Sequence, residues 1–305
     1  MTHEKKSLVF FGSGPVAAKS LELLQESFTV EHVITKPATV RDMESITRAP
    51  VHSAGSKAEL DTLMDTLEYS SDVAVLIDFG IIVSEHVMNS FDKGIVNSHF
   101  SLLPKLRGAD PISFAILEGL DETGVSLMLL SPGMDEGDII VMDSTAVLPS
   151  DTSTTLTDKL IRLSDQLLKS NLEKYLHGTI HATTQEELCR HNGTPYEPTY
   201  TRKLSKEDGV LNLSKSAIQL EREIRAFIEW PKSRTTIGGI DVILKQATVI
   251  IEDHHLEVGT IFHDIKAGVL KVATSDGWLD IKELQPAGKK AMQTKQFLLG
   301  YSNRL

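Results

Sequence analysis

The chain has one cysteine in 305 residues, Cys189, which excludes an intrachain disulfide and fits a reducing compartment, so a cytoplasmic setting is expected. Long apolar runs are missing as well. None approaches the roughly 18 residues a membrane span needs, and no membrane partner is expected. The apolar residues 8–11, which follow Lys5 and Lys6, are cut short by Gly12, Gly14 and Pro15, too soon for the hydrophobic region of a signal peptide. They read instead as a buried first strand. Internal repeats and low-complexity tracts are absent too. With 41% apolar and 24% charged residues, ordinary globular material remains, long enough for two domains.

Positive charge is also scarce. A net charge of −11 means that the average surface repels a polyanion, which argues against indiscriminate nucleic-acid binding, and no DNA partner is expected. The average hides a split. Residues 1–199 carry 15 Lys and Arg against 29 Asp and Glu, net −14, whereas residues 200–305 carry 16 against 13, net +3. A small domain with three spare positive charges is common, so this asymmetry acquires meaning only beside motifs.

The first 145 residues alternate strand-like and helix-like runs, the pattern of a parallel sheet covered by helices on both faces. Strands are predicted at residues 7–11, 30–35, 50–53, 73–77 and 94–98, followed by a pair at 126–130 and 138–147. Asp110 reads as an N-cap with Pro111 at the first helical position and Gly119 as the stop. From Thr152, leucines at 156, 160, 163, 167, 172 and 176 predict one long amphipathic helix. The expected fold is therefore α/β, a Rossmann-like, mostly parallel sheet over residues 1–182. A connection follows at 183–204, then a small OB-like β-barrel domain at 205–305. That domain opens with a helix at 215–229 and is punctuated by turns at 238–239, 253–255, 266–268 and 276–277.

Gly12-Ser13-Gly14-Pro15-Val16-Ala17 fits a dinucleotide-binding turn in outline, but the second strand ends in Thr35-Lys36-Pro37 with no acid for a ribose. The glycines read more simply as a tight strand-to-helix turn. More informative is Asn97-Ser98-His99. On a strand, Asn97 and His99 point the same way, at the carboxyl edge where open α/β sheets bind ligands. A lone histidine is more often a satisfied core residue, and Asp135 in the turn Gly133-Met134-Asp135-Glu136-Gly137-Asp138 is more often just a turn residue. Together, though, an amide, an imidazole and a carboxylate supply what acyl transfer to an amine needs. They stabilise a developing oxyanion, give the amine's proton a route and control the histidine's charge, all without a metal.

On these residues, with Ser101-Leu102-Leu103-Pro104 and Arg107-Gly108, the sequence resembles the 10-formyltetrahydrofolate-dependent formyltransferases. The resemblance implies Asn97, His99 and Asp135 as the catalytic trio. It implies 10-formyltetrahydrofolate as formyl donor, bound by Ser101, Leu102, Leu103 and Pro104, with Ile81, Ile82 and Val83 holding the pterin. Residues 202–208, 224–227, Trp230-Pro231 and 284–292 resemble the branch of that family that acts on methionyl-tRNA, so the likeness spans nearly the whole chain. It implies initiator methionyl-tRNA as partner, a monomer, and Arg41, Arg107, Arg222, Arg225, Lys289 and Lys290 as cations facing tRNA phosphates.

Two departures stand out. The loop at 37–48 is short and has only Arg41 and Arg48 against Asp42 and Glu44, where that branch carries a long basic loop, and Phe100 replaces a small residue. The short loop keeps a second acceptor in view, an amino sugar on a nucleotide. A folate- or nucleotide-binding regulatory module without turnover is the reading from outside enzymology.

Overall fold

A computed structural model describes residues 5–305, which group by contact into two units. The first unit takes in most of the chain up to Thr201 and the second holds Arg202–Leu305, together with Ile112–Asp121 and Val147–Leu156.

The first unit is built on strands β1 (Ser7–Gly12), β2 (Thr29–Thr35), β3 (Val51–Ser53), β4 (Ala74–Ile77), β5 (Ile95–His99), the short β6 (Arg107–Gly108), β7 (Glu122–Leu129) and β8 (Ile139–Ala146). Seven of them form one sheet in the order β3-β2-β1-β4-β5-β7-β8, parallel from β3 to β5 and antiparallel at β7 and β8. Helices cover both faces, so the inner strands read as unbroken apolar runs. Leu8, Val9, Phe10 and Phe11 are all fully buried. Phe11 meets the edge of Phe79 with ring centres 5.5 Å apart.

The chain order reverses between β1 and β4, which places the crevice of an open α/β sheet at the carboxyl ends of those strands. There the Ser13 amide donates to the Asp78 carbonyl at 3.0 Å and ties the two loops together. The predicted long helix runs Ser153–Leu176, with Leu156, Leu160, Leu167 and Leu172 buried. Its Ser164 meets Ser98 of β5, hydroxyl to hydroxyl at 2.6 Å, so the helix lies on the sheet.

The structure departs from expectation in two places. Asp110 has a left-handed φ of 57° instead of the extended conformation of an N-cap, although the helix Pro111–Leu117 does begin at the next residue. The stretch taken as an irregular connection contains a helix, Gln185–His191, and strand β9 (Tyr200–Thr201), which pairs in parallel with β6. A seven-residue helix is too short to show a period, and a two-residue strand leaves no pattern at all.

In the second unit the helix Ala217–Ala226 buries Ala217, Leu220, Ile224 and Ala226 against an antiparallel sheet. Its strands are β10 (Ser233–Ile237), β11 (Ile240–Ile250), β12 (Ile261–Asp264), β13 (Val269–Ala273), β14 (Trp278–Pro286) and β15 (Met292–Gln293), in the order β10-β11-β14-β13-β12 with β15 on β14. All four turns expected from the sequence lie between consecutive strands. Gly238 and Gly239, at φ 56° and 69°, make the two-residue turn between β10 and β11 that only left-handed residues close. Leu244, Leu270, Leu279, Ile281, Leu284 and Phe297 form its core. Among the described residues no helix is long and apolar enough to cross a membrane.

Candidate active site

Strand β5 ends in Asn97 and His99, both nearly enclosed at 7% and 6% exposure, and alternation sends their side chains to the same side. The loop between β7 and β8 brings Asp135 to meet them. Its Oδ1 lies 3.5 Å from Asn97 Nδ2, and its Oδ2 lies 3.7 Å from His99 Nδ1. These contacts are at or past the limit of a hydrogen bond, so the Asn97 amide and the His99 Nδ1 edge remain open to another group.

The firm bonds around the trio come from backbone. His99 Nε2 donates to the Leu106 carbonyl at 3.0 Å, which fixes the proton on that nitrogen and turns Nδ1 toward Asp135. The Gly108 amide donates to Asp135 Oδ2 at 2.7 Å. Gly108 has φ 100°, and a Cβ there would stand 2.6 Å from the Thr201 carbonyl oxygen, so only glycine can hold this amide while β6 pairs with β9. Asp78, Leu106, Asp110 and Asp135 all have left-handed φ between 49° and 57°. Such conformations persist only where surrounding structure enforces them, and here they cluster in the loops of one sheet edge.

Of the residues expected to bind folate, Ser101, Leu103 and Pro104 are buried and Leu102 is half-buried. The Ser101 hydroxyl is engaged, donating to the Lys105 carbonyl at 2.6 Å, and the Leu103 amide donates to the Ser126 hydroxyl at 3.1 Å. The side chains of Ser101 and Leu103 therefore shape the turn. The segment after β4 is different. The backbone of residues 80–83 makes no hydrogen bond to any described residue, and Ile82 is 78% exposed. Beside it the Asp78 carboxyl, exposed at the surface yet crowded by the surrounding loops, is pushed up to about 6 by loss of part of its hydration, with the charge of Asp110 adding to the shift and Lys36 opposing it.

The expected phosphate-facing cations divide. Arg41, Lys289 and Lys290 are exposed. Arg107 corrects the expectation, whereas Arg222 and Arg225 are half-buried. Arg107 is 2% exposed, and its guanidinium donates to Gln185 Oε1 at 2.6 Å and to the hydroxyls of Tyr196 and Tyr200 at 3.0 and 3.2 Å. Burial works against its charge, but the two tyrosine hydroxyls outweigh that and raise its pKa. Arg222 lies against Gly119, where a Cβ would come within 1.9 Å of its Cζ. Arg225 pairs with Glu221 at 2.6 Å and donates to the Asp151 carbonyl at 2.8 Å. Arg107, enclosed and with its guanidinium nitrogens given to protein acceptors, is part of the scaffold.

A concavity of about 500 Å³ lined by Gln25, Phe28, Val30 and residues 45–49 is formed by other segments of the first unit, away from the loops of the trio. No group of three or more His, Cys, Asp or Glu among the described residues is placed to hold a metal ion.

Residues 5–172 match the family model described as formyl transferase, and residues 203–302 match that of the formyl transferase C-terminal domain. A variant of HypX from Aquifex aeolicus has a similar structure, at TM-score 0.65 and 15% identity over 98% of this chain. The chain spans about half of that protein's length, 48%. An N-formyltransferase from Helicobacter canadensis, solved with folinic acid and dTDP-3-aminofucose, aligns at TM-score 0.67 and 19% identity over 91% of this chain and 98% of its own. Phosphoribosylglycinamide formyltransferase from Bacillus halodurans aligns at TM-score 0.50 and 26% identity over 56% of this chain and 95% of its own.

Proposed function

This chain belongs to the formyl transferase family, and we propose that it moves a formyl group from 10-formyltetrahydrofolate to the α-amino group of methionyl-initiator tRNA. The observation that carries the chemistry is the convergence of Asn97 Nδ2 and His99 Nδ1 on Asp135, at 3.5 and 3.7 Å. Asn97 and His99, the latter as the imidazolium with a proton on Nδ1 as well as on Nε2, donate to the formyl oxygen as it gains negative charge. An amide donor in that role is worth roughly 10² to 10³ in rate. Asp135 takes the proton released by the attacking amine and returns it to the folate nitrogen as the carbon–nitrogen bond to the carrier breaks. The proton count closes without a metal, and Gly108 and Leu106 hold the carboxylate and the imidazole throughout.

The residues present fit a folate. Residues 80–83 offer backbone donors and acceptors that bond to no described residue, beside the exposed Ile82, as a flat polar ring system requires. When bound there, the folate supplies the electrophilic one-carbon unit. Leu102 is the member of the Ser101 to Pro104 turn with surface left for contact.

Transfer RNA as acceptor rests on sequence, on residues 202–208, at the start of the matched C-terminal domain, and 284–292 within it. Strands β14 and β15 form a hairpin whose tip carries the exposed pair Lys289 and Lys290. The solved structures favour a second acceptor, an amino sugar on a nucleotide, since the Helicobacter canadensis N-formyltransferase holds one and is matched over nearly its whole length. Incubating purified protein and 10-formyltetrahydrofolate with methionyl-initiator tRNA, methionyl-elongator tRNA and a panel of nucleotide-linked amino sugars separates the two. Formylation of initiator tRNA at the highest kcat/KM is expected. Transfer to an amino sugar alone would replace the tRNA reading, and transfer to nothing would overturn both.

A further inference from the structure

Asp135 is the member of the trio that comes from a loop, and its φ of 50° lies in the left-handed region that is uncommon for residues other than glycine. The Gly108 amide fixes its carboxylate. Its backbone is fixed by a residue far along the chain, Gln185, at the start of the helix Gln185–His191. The Gln185 Nε2 donates to the carbonyls of Asp135, at 2.8 Å, and Gly137, at 3.0 Å, so one amide group bridges the two ends of the turn. Gln185 Oε1 accepts from Arg107 Nη2 at 2.6 Å and Nε at 3.2 Å. The side chain is 3% exposed, with each of its donors and acceptors matched.

We infer that Gln185 is a positioning residue for formyl transfer, a latch that sets Asp135 relative to His99 and Asn97, with Arg107 as its anchor. The inference rests on the proposed chemistry at the trio. Arg107 precedes Gly108 in β6, so the same two-residue strand supplies both the anchor of the latch and the amide that grips the carboxylate. The Asp135 turn is thereby held from two sides by elements separated by 78 positions, Arg107 and Gln185. A burial requirement alone would be met by an apolar side chain. Four directed hydrogen bonds to a guanidinium and two carbonyls need a primary amide, because only that group donates twice from one end and accepts from the other.

Gln185→Glu is the discriminating variant. A carboxylate there still accepts from Arg107, so the anchor is kept, but it cannot donate to the carbonyls of Asp135 and Gly137 and repels them instead; circular dichroism and the melting temperature check that the variant is folded. A displacement of about 1 Å at a reacting group costs up to roughly 100-fold in rate. The expected result is a fall in kcat of about 10- to 100-fold, with KM for the formyl donor within about threefold of wild type. The pH dependence of kcat is also expected to differ from wild type, a readout that a purely structural role would leave unmoved. Gln185→Ala should show the same kinetic defect together with a lower melting temperature. Wild-type turnover and pH profile in folded Gln185→Glu would overturn the latch, as would a loss of activity matched by the loss of folded protein with the profile unmoved.

Exchange of the Gln185 side-chain amide protons, followed by NMR in the wild-type protein, needs neither variant nor turnover. Protection is expected, and exchange at the rate of an exposed glutamine would overturn the proposal. Absence of formyl transfer by wild type in the same assay would count against the proposed chemistry instead.

Discussion

In the first unit the polar side chains that matter are held by backbone and kept open toward each other; in the second, Arg222 and Arg225 lie against protein acceptors while Lys289 and Lys290 are left in solvent. His99 and Asp135 each have one firm bond, to Leu106 and from Gly108, and face each other and Asn97 across gaps of 3.5 and 3.7 Å. Arg222 and Arg225 are engaged with Glu118, Glu221 and Asp151, whereas Lys289 and Lys290 extend from a hairpin tip. The contrast separates two kinds of contribution. Groups fixed to within a fraction of an ångström act on a barrier, and charges on flexible stems act on encounter and affinity.

Removing a member of the fixed group should therefore have the largest effect. His99→Ala is expected to lower kcat by about 10² to 10⁴ while formyl-folate binding, measured by calorimetry, stays detectable. Near-wild-type turnover would remove His99 from the reaction and dissolve the contrast. A smaller effect is expected in the second unit. Replacing Lys289 and Lys290 together by Ala should leave kcat unchanged and reduce the slope of log affinity for tRNA against log salt by about 1 to 2. Arg222→Ala and Arg225→Ala should lower the melting temperature and leave that slope alone. A slope that drops equally for the arginines would mean that they leave their protein partners to meet phosphate.

The same contrast explains what the sequence disclosed. Strands β1 to β5 and the turns of the second unit follow from apolar runs and glycine-rich punctuation, which are local properties. Asn97 and His99 were legible because a two-residue period puts them on one side of a strand, and Asp135 because it sits in a loop with glycines at both ends. Gln185 was not. It acts through Arg107 and two backbone carbonyls, and nothing within ten residues of it signals that use. Arg107 was misread for a related reason. A guanidinium looks the same in sequence whether its partner is a phosphate or a carbonyl, and only the three-dimensional neighbours decide. The short strand β9 escaped because two residues carry no alternation.

Asp78 gives the smallest effect and bears on the fixed region itself. Its carboxyl is pushed up to about 6, first by lost hydration and then by Asp110, against the pull of Lys36. An acid whose folded pKa lies above its unfolded value, about 3.9, is one whose neutral form the fold prefers. Its contribution to stability is fully present below that unfolded value and is lost as pH rises through about 6. Asp78→Asn stays neutral throughout. The variant should melt with wild type at about pH 4 and slightly above it at about pH 7.5, the gap opening between those limits and kept small because Asp78 is exposed to solvent. Scanning both proteins by calorimetry across that range isolates this residue, because every other titrating group is common to the pair. Identical melting temperatures at about pH 7.5 would mean that the Asp78 charge costs the fold nothing. The loop after β4 would then be as solvated as the hairpin tip of Lys289, and the fixed region would end at β5.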